Sequence, residues 1–172
     1  MRLSREEAVE ILQANVSSAL RITHALLKRS SRPFYLVFVS SLAAMFPMPL
    51  KATYAASKRF LLDFSLALRC ELRHEGVRVL ALCPGGMPTN PEAVRAMLAQ
   101  GLWGRVAACP LEAVARKTLD LALRGRAVYI PGAAGKALCM LGRLLPRRCA
   151  AAAIGRRWSS AQGKWLCASR RL

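Results

Sequence analysis

The sequence predicts an α/β fold: a parallel sheet with helices on both of its faces. Three observations point there. Short uncharged runs of aromatic and β-branched residues alternate with long amphipathic stretches. Two of those runs, Phe34–Val39 and Val77–Cys83, read as strands buried on both faces, the kind found in parallel sheets. Successive runs are separated by helix-length segments, which a parallel crossover needs and a hairpin does not.

The elements follow in order. Ser4 and Glu7 have the spacing of a capping box, and Val9, Leu12, Val16, Ala19, Thr23 and Leu26 recur as one face of a long helix from about Arg5 to Lys28. Basic residues gather near its end, as the helix dipole favours. After the first strand, Ser40 and Ser41 lead into a loop with two prolines. A second helix runs from about Tyr54 to His74, with Phe60, Leu61, Phe64 and Leu68 on its apolar face and Gly76 as its stop. The strand Val77–Cys83 is broken by Pro84, Gly85 and Gly86. Asn90 and Pro91 read as the start of a short helix reaching about Gln100. Another helix begins at Pro110 and ends before Gly125. Ala127–Ile130 is a third, short strand, and the remaining tail is helical in character but broken by Gly142, Pro146 and Gly155.

Composition narrows the function classes. In 172 residues there are 27 Lys and Arg against 9 Asp and Glu, a formal charge of +18, and 54% of residues are hydrophobic, which excludes a chain disordered by composition. The excess charge is concentrated: 11 basic and no acidic residues follow Asp120. The six cysteines, at 70, 83, 109, 139, 149 and 167, form no C-x-x-C pair, so no metal site is expected and free thiols in a reducing cytoplasm are. The N-terminus has no apolar signal segment, and the longest uncharged run, Pro33 to Leu50, is too proline-rich for a spanning helix.

Seven positions could carry chemistry. Tyr54 and Lys58, in Y-A-A-S-K, share one helix face, where an ammonium favours a phenolate and suits the tyrosine to proton transfer. The same spacing is also a common surface pair. Ser41 stands at the C-terminal end of a strand, where ligands bind in open α/β sheets, and is otherwise a turn residue. Asn15 sits on the apolar face of the first helix, where its amide must find partners, structural or functional. Pro84, Gly85 and Thr89 follow the second strand as an ordinary Pro-Gly turn with a hydroxyl nearby.

Taken together, Asn15, V-F-V-S-S-L-A-A, Y-A-A-S-K-R-F-L-L-D-F-S-L-A-L-R-C-E-L and G-V-R-V-L-A-L-C-P-G-G-M-P-T resemble the classical short-chain dehydrogenase/reductase family. P-L-E-A-V-A-R-K-T-L, A-V-Y-I-P-G and R-L-L-P-R-R are similar to a broad bacterial subgroup of uncertain specificity. The resemblance covers roughly residues 5–158. It implies a partial Rossmann-like doubly wound parallel sheet, the C-terminal part only, over residues 1–132, and a basic helical tail over 133–172. It also implies carbonyl/alcohol interconversion by hydride transfer with NAD(H) or NADP(H). Tyr54 would transfer the proton. Lys58 would lower its pKa and bind the nicotinamide ribose, Ser41 would orient the substrate oxygen, and Asn15 would hold a relay water. Pro84, Gly85 and Thr89 would meet the nicotinamide end of the cofactor.

The family's glycine-rich fingerprint lies before the first helix seen here, and the first glycine of this chain is Gly76. The resemblance therefore implies an N-terminally truncated member, with little reductase activity and weak dinucleotide binding on its own. Its substrate would be a small carbonyl or alcohol, lipophilic if Met87, Met97, Leu98, Leu102 and Trp103 line the pocket. A homo-oligomer is compatible with it. Cytoplasmic location is expected, with membrane-surface contact through the basic–apolar tail as the alternative. The tail's charge also raises nucleic-acid binding, but its arginines alternate with Leu, Ala and Met and no binding motif is present, so no specific nucleic-acid partner is expected.

Overall fold

The computed structural model describes residues 3–29, 31–89, 91, 94 and 109–156. Apart from residues 91 and 94, the predicted helix at Asn90–Gln100 lies outside the described residues, as do the tail after residue 156 and Met97, Leu98, Leu102 and Trp103.

The first helix is built in three parts. α1 (Arg5–Leu12) opens with the expected capping box: Ser4 Oγ accepts from Glu7 N at 3.1 Å, and the Glu7 carboxylate accepts from Ser4 N at 2.7 Å. A single π turn follows over Gln13–Ser17, where the N–H and hydroxyl of Ser18 both donate to Gln13 O. α2 (Ser18–Arg29) completes it. The wide turn inserts one residue, so Asn15 and Val16 are both half-buried. Ahead of it the inward positions are Ala8 and Ile11, while Val9 and Leu12 face outward; beyond it Ala19, Thr23 and Leu27 point in and Leu26 points out. The apolar stripe expected from a uniform helix is thus only half correct, because a regular 3.6-residue period cannot register an inserted residue.

Three parallel strands form one sheet in the order β1 (Phe34–Val39), β2 (Val77–Leu82), β3 (Val128–Tyr129), with Phe34 opposite Val77 and Ala81 opposite Val128. α3 (Ala52–Glu71) connects the first two, after a 3₁₀ turn at Leu42–Met45. α4 (Leu111–Leu123) precedes β3, and α5 (Ala133–Leu144) follows it; residues 147–156 are helical again. Gly76 and Gly125 adopt left-handed φ values of 71° and 66°, each reversing the chain into or towards a strand.

β2 is central and buried on both faces. Val77 and Val79 join Leu36, Phe38, Leu61 and Leu68 beneath α2 and α3, while Leu80 and Leu82 pack against Val114 and Ala122 of α4. β1 departs from expectation. Leu36 and Phe38 are buried, but Tyr35, Val37 and Val39 are 42%, 36% and 49% exposed. The strand lies at the edge of the described sheet, and α4 reaches that face of it only in part.

Gly142 and Gly155 do not interrupt helices as expected; both lie within helical segments, and only Pro146 marks a break. Gly142 is placed where the Phe46 ring crosses α5, so a Cβ there would run into the ring.

Candidate active site

The C-terminal ends of β1 and β2 bring the candidate residues into one region. Ser40 N donates to Leu82 O at 2.8 Å, and Leu42 N donates to Pro84 O at 2.9 Å. These two bonds align the turn after β1 with the loop after β2. Ser41 stands between them in extended conformation, half-buried, its Oγ accepting from Ala43 N at 3.1 Å. That bond caps the 3₁₀ turn and uses only an acceptor site, so the hydroxyl proton remains for donation.

Lys58 and β1 hold each other reciprocally. Ser40 Oγ donates to Lys58 O at 2.7 Å, and Lys58 Nζ donates to Val39 O at 3.1 Å. The ammonium lies 5.7 Å from the centre of the Tyr54 ring. Partial burial pushes the Lys58 pKa down, since desolvation disfavours its charged form. The Y-A-A-S-K spacing therefore does place both side chains on one face, half-buried rather than at a free surface.

Asn15 is tied to the same helix. Its Nδ2 donates to Ser57 Oγ at 3.1 Å, across 42 residues of sequence, and Ser57 Oγ donates to Tyr54 O at 2.8 Å. Ser57 is fully buried. The π turn brings Asn15 round to meet it. Neither Ser57 nor Ser40 was singled out from the sequence. The signal available was their position: one inside Y-A-A-S-K, the other beside Ser41 at a strand end.

The remaining candidates are looser. Pro84 is buried and bonded to Leu42; Gly85 is half-buried; Thr89 is exposed, its N–H donating to Met87 O at 2.9 Å. Among the described residues, no hydrogen bond joins Thr89 or Ser41 to Tyr54 or Lys58. Met87 packs against the Leu80–Leu82 cluster, as a core residue. The Cys83 thiol, below the site, is pushed up to about 11 by burial, so it stays neutral and inert.

Two cavities adjoin the region. One, of 390 Å³, is lined by Asn15, Thr23, Val39, Lys58 and Leu61; the other, of 660 Å³, lies beside Tyr54 with Leu3, Ile11, Leu50 and Thr53. A third, of 470 Å³ near Gly76 and Arg78, is at the opposite strand ends. Among the described residues there is no cluster of His, Cys, Asp and Glu able to hold a metal ion, and no helix long and apolar enough to cross a membrane.

Known proteins are similar to this chain in sequence and in fold. A sulfoacetaldehyde reductase of Chromohalobacter salexigens is 39% identical over 88 residues, which is 49% of this chain and 35% of that protein. The 17-beta-hydroxysteroid dehydrogenase type 3 of Mus musculus is 35% identical over 85 residues, 48% of this chain and 28% of that one. The chain thus spans about a third of the length of these relatives. A solved 7beta-hydroxysteroid dehydrogenase superposes with a TM-score of 0.65 at 19% identity, covering 84% of this chain and 57% of the other. A short chain dehydrogenase from Mycobacterium paratuberculosis bound to NAD gives 0.60 at 22% identity, covering 75% and 55%. These structures share the Rossmann-like α/β fold. The sequence pattern of short chain dehydrogenases matches residues 1–97, more than half of the chain, and the chain belongs to that family of oxidoreductases.

Proposed function

We propose that this chain carries the proton-transfer machinery of an oxidoreductase that interconverts a carbonyl and an alcohol with NAD(P)(H). The observation that supports this most is the joining of Asn15, Tyr54 and Lys58 to the end of β1 through Ser57, Ser40 and Val39. Tyr54 gives its hydroxyl proton to the carbonyl oxygen in reduction and accepts it in oxidation. The ammonium of Lys58 favours the phenolate, and the N–H donors it does not use on Val39 O are available to the nicotinamide ribose. Ser41 donates its hydroxyl to the substrate oxygen. Asn15, fixed through its Nδ2, keeps its Oδ1 for a water that refills the proton on Tyr54.

The residues fit the nicotinamide end of the dinucleotide. Lys58 offers donors, and the irregular backbone from Cys83 to Thr89 carries glycines at 85 and 86, which have no Cβ to block approach. When bound, the dinucleotide supplies the hydride, which no side chain can. The pyrophosphate end calls for a glycine-rich turn between strand and helix. With Gly76 as its first glycine, this sequence has none ahead of α1. These residues by themselves offer the dinucleotide only the contacts of its nicotinamide end.

The test fuses the full 172-residue chain to the glycine-rich half of a family relative and assays NAD(P)H oxidation with a panel of aldehydes and ketones. Turnover is expected, falling by about a hundredfold or more in Tyr54→Phe with cofactor binding unchanged. Equal turnover in Tyr54→Phe would overturn the role of Tyr54. Calorimetry of the unfused chain with NADPH is expected to show no micromolar affinity.

A further inference from the structure

α5 is apolar on the side that faces away from the protein. Its inward positions are mostly small: Gly135 lies against Ile130 and Leu42, Cys139 is buried, and Gly142 lies against Phe46, with Leu138 half-buried beside them. Three large side chains point out, with Met140 69% and Leu144 82% exposed and Leu141 between them. Turning the helix over would drive those side chains into Phe46, so the fold holds the apolar stripe outward. A contiguous stripe of this kind marks an interaction surface, unlike single exposed leucines.

The charge around the stripe says what it meets. Lys136 precedes it by a turn, and Arg147 and Arg148 follow it, all exposed. No acidic residue occurs after Asp120. On α2, Leu20, Ile22 and Leu26 also stand beside basic residues, at 40%, 59% and 39% exposure against 82% at Leu144; the exposed apolar positions of α4 and α1 stand among acidic residues instead. On α4, Leu111 and Leu119 are interleaved with Glu112 and Asp120, both ion-paired; on α1, Val9 is flanked by Glu6, Glu7 and Glu10.

We propose that the outward face of α5, with the start of the 147–156 helix, docks on an anionic lipid surface. Met140, Leu141 and Leu144 enter the acyl boundary, and Lys136, Arg147 and Arg148 meet the headgroup phosphates. A nucleic acid would leave the apolar centre of the patch without a partner. A second copy docked face to face would bring two cationic rims together. The inner side of α5 rests on Leu42 and Phe46, just beyond Ser41, so docking brings the candidate site to about one helix diameter, some 10 Å, from the lipid. The surface stands on exposure and charge alone and is independent of the proposed chemistry.

The experiment is co-sedimentation of the full chain with vesicles of phosphatidylcholine and phosphatidylglycerol in equal parts, against phosphatidylcholine alone, at low and high salt. Binding to the mixed vesicles is expected, at least about tenfold weaker without the anionic lipid. The exposed-site variants Met140→Ser/Leu144→Ser and Arg147→Glu/Arg148→Glu are each expected to lose at least about tenfold, with circular dichroism unchanged. Failure of the unaltered chain to bind anionic vesicles overturns the proposal whatever the variants do. So does equal binding by both variants, binding of DNA in place of vesicles, or a dimer that Met140→Ser/Leu144→Ser dissociates without any vesicle binding.

Discussion

At the scale of single residues, the candidate site depends on side chains that reach across the sequence to fix the ones that would react. The bond from Asn15 to Ser57 is the clearest case. Replacing Ser57 by Ala leaves the Asn15 amide facing a methyl group, and replacing Asn15 by Ala leaves the Ser57 hydroxyl one partner short. Each variant is expected to lose about 1 kcal/mol in urea unfolding, and the double variant less than the sum, a coupling of about 0.5–1.5 kcal/mol. Strict additivity would show that the bond contributes nothing. Lys58 gives a pH signature. Its folded pKa lies below the 10.5 of an unfolded chain, so between those two values the unfolded state binds more protons and stability rises with pH. Lys58→Met is expected to lose part of that rise in unfolding curves taken from neutral pH to 10.5, and a variant with an unchanged pH profile would contradict it. The candidate residues were legible in the sequence, because Tyr54 and Lys58 are local and helical. Their supports were not: Ser57 and Ser40 act on partners 42 and 18 residues away, and no spacing announces such a contact.

At the scale of elements, the order of helices and strands was readable throughout the described residues, since apolar periodicity follows from the element itself. What a face packs against does not. Phe34–Val39 is as apolar as a strand buried on both sides, yet only Leu36 and Phe38 are fully buried, because covering depends on neighbours that the run does not encode. Gly142 teaches the same lesson from the opposite direction. Read as a helix breaker, it lies inside α5 and gives the Phe46 ring its place. Gly142→Ala should therefore cost about 1–3 kcal/mol through overpacking, against the usual gain from Gly to Ala in a helix. Pairing it with Phe46→Leu should recover part of the loss, as thermal melts of the three variants would show. A stabilised Gly142→Ala would mean that α5 does not press on that ring.

At the scale of the whole molecule, the described sheet ends at β1 with an apolar face partly open to water, and an uncovered strand edge is a template for self-association. Val37→Lys, on the open face, is expected to slow aggregation followed by light scattering while leaving the melting temperature within about 2 °C, because a surface change away from the core alters stability little. Faster or unchanged aggregation would clear β1 of that role. The parallel order of the strands also has a consequence in time. Phe34 pairs with Val77, so α3 lies between the first two strands and no hairpin can start the sheet. Helices form within about a microsecond, whereas long-range parallel pairing must first close the intervening loop. During each refolding, then, the chain carries a formed α3 before β1 has found β2. In that interval all six residues of Phe34–Val39 are uncovered, and the speed of one strand-to-strand search decides between the folded sheet and the aggregate.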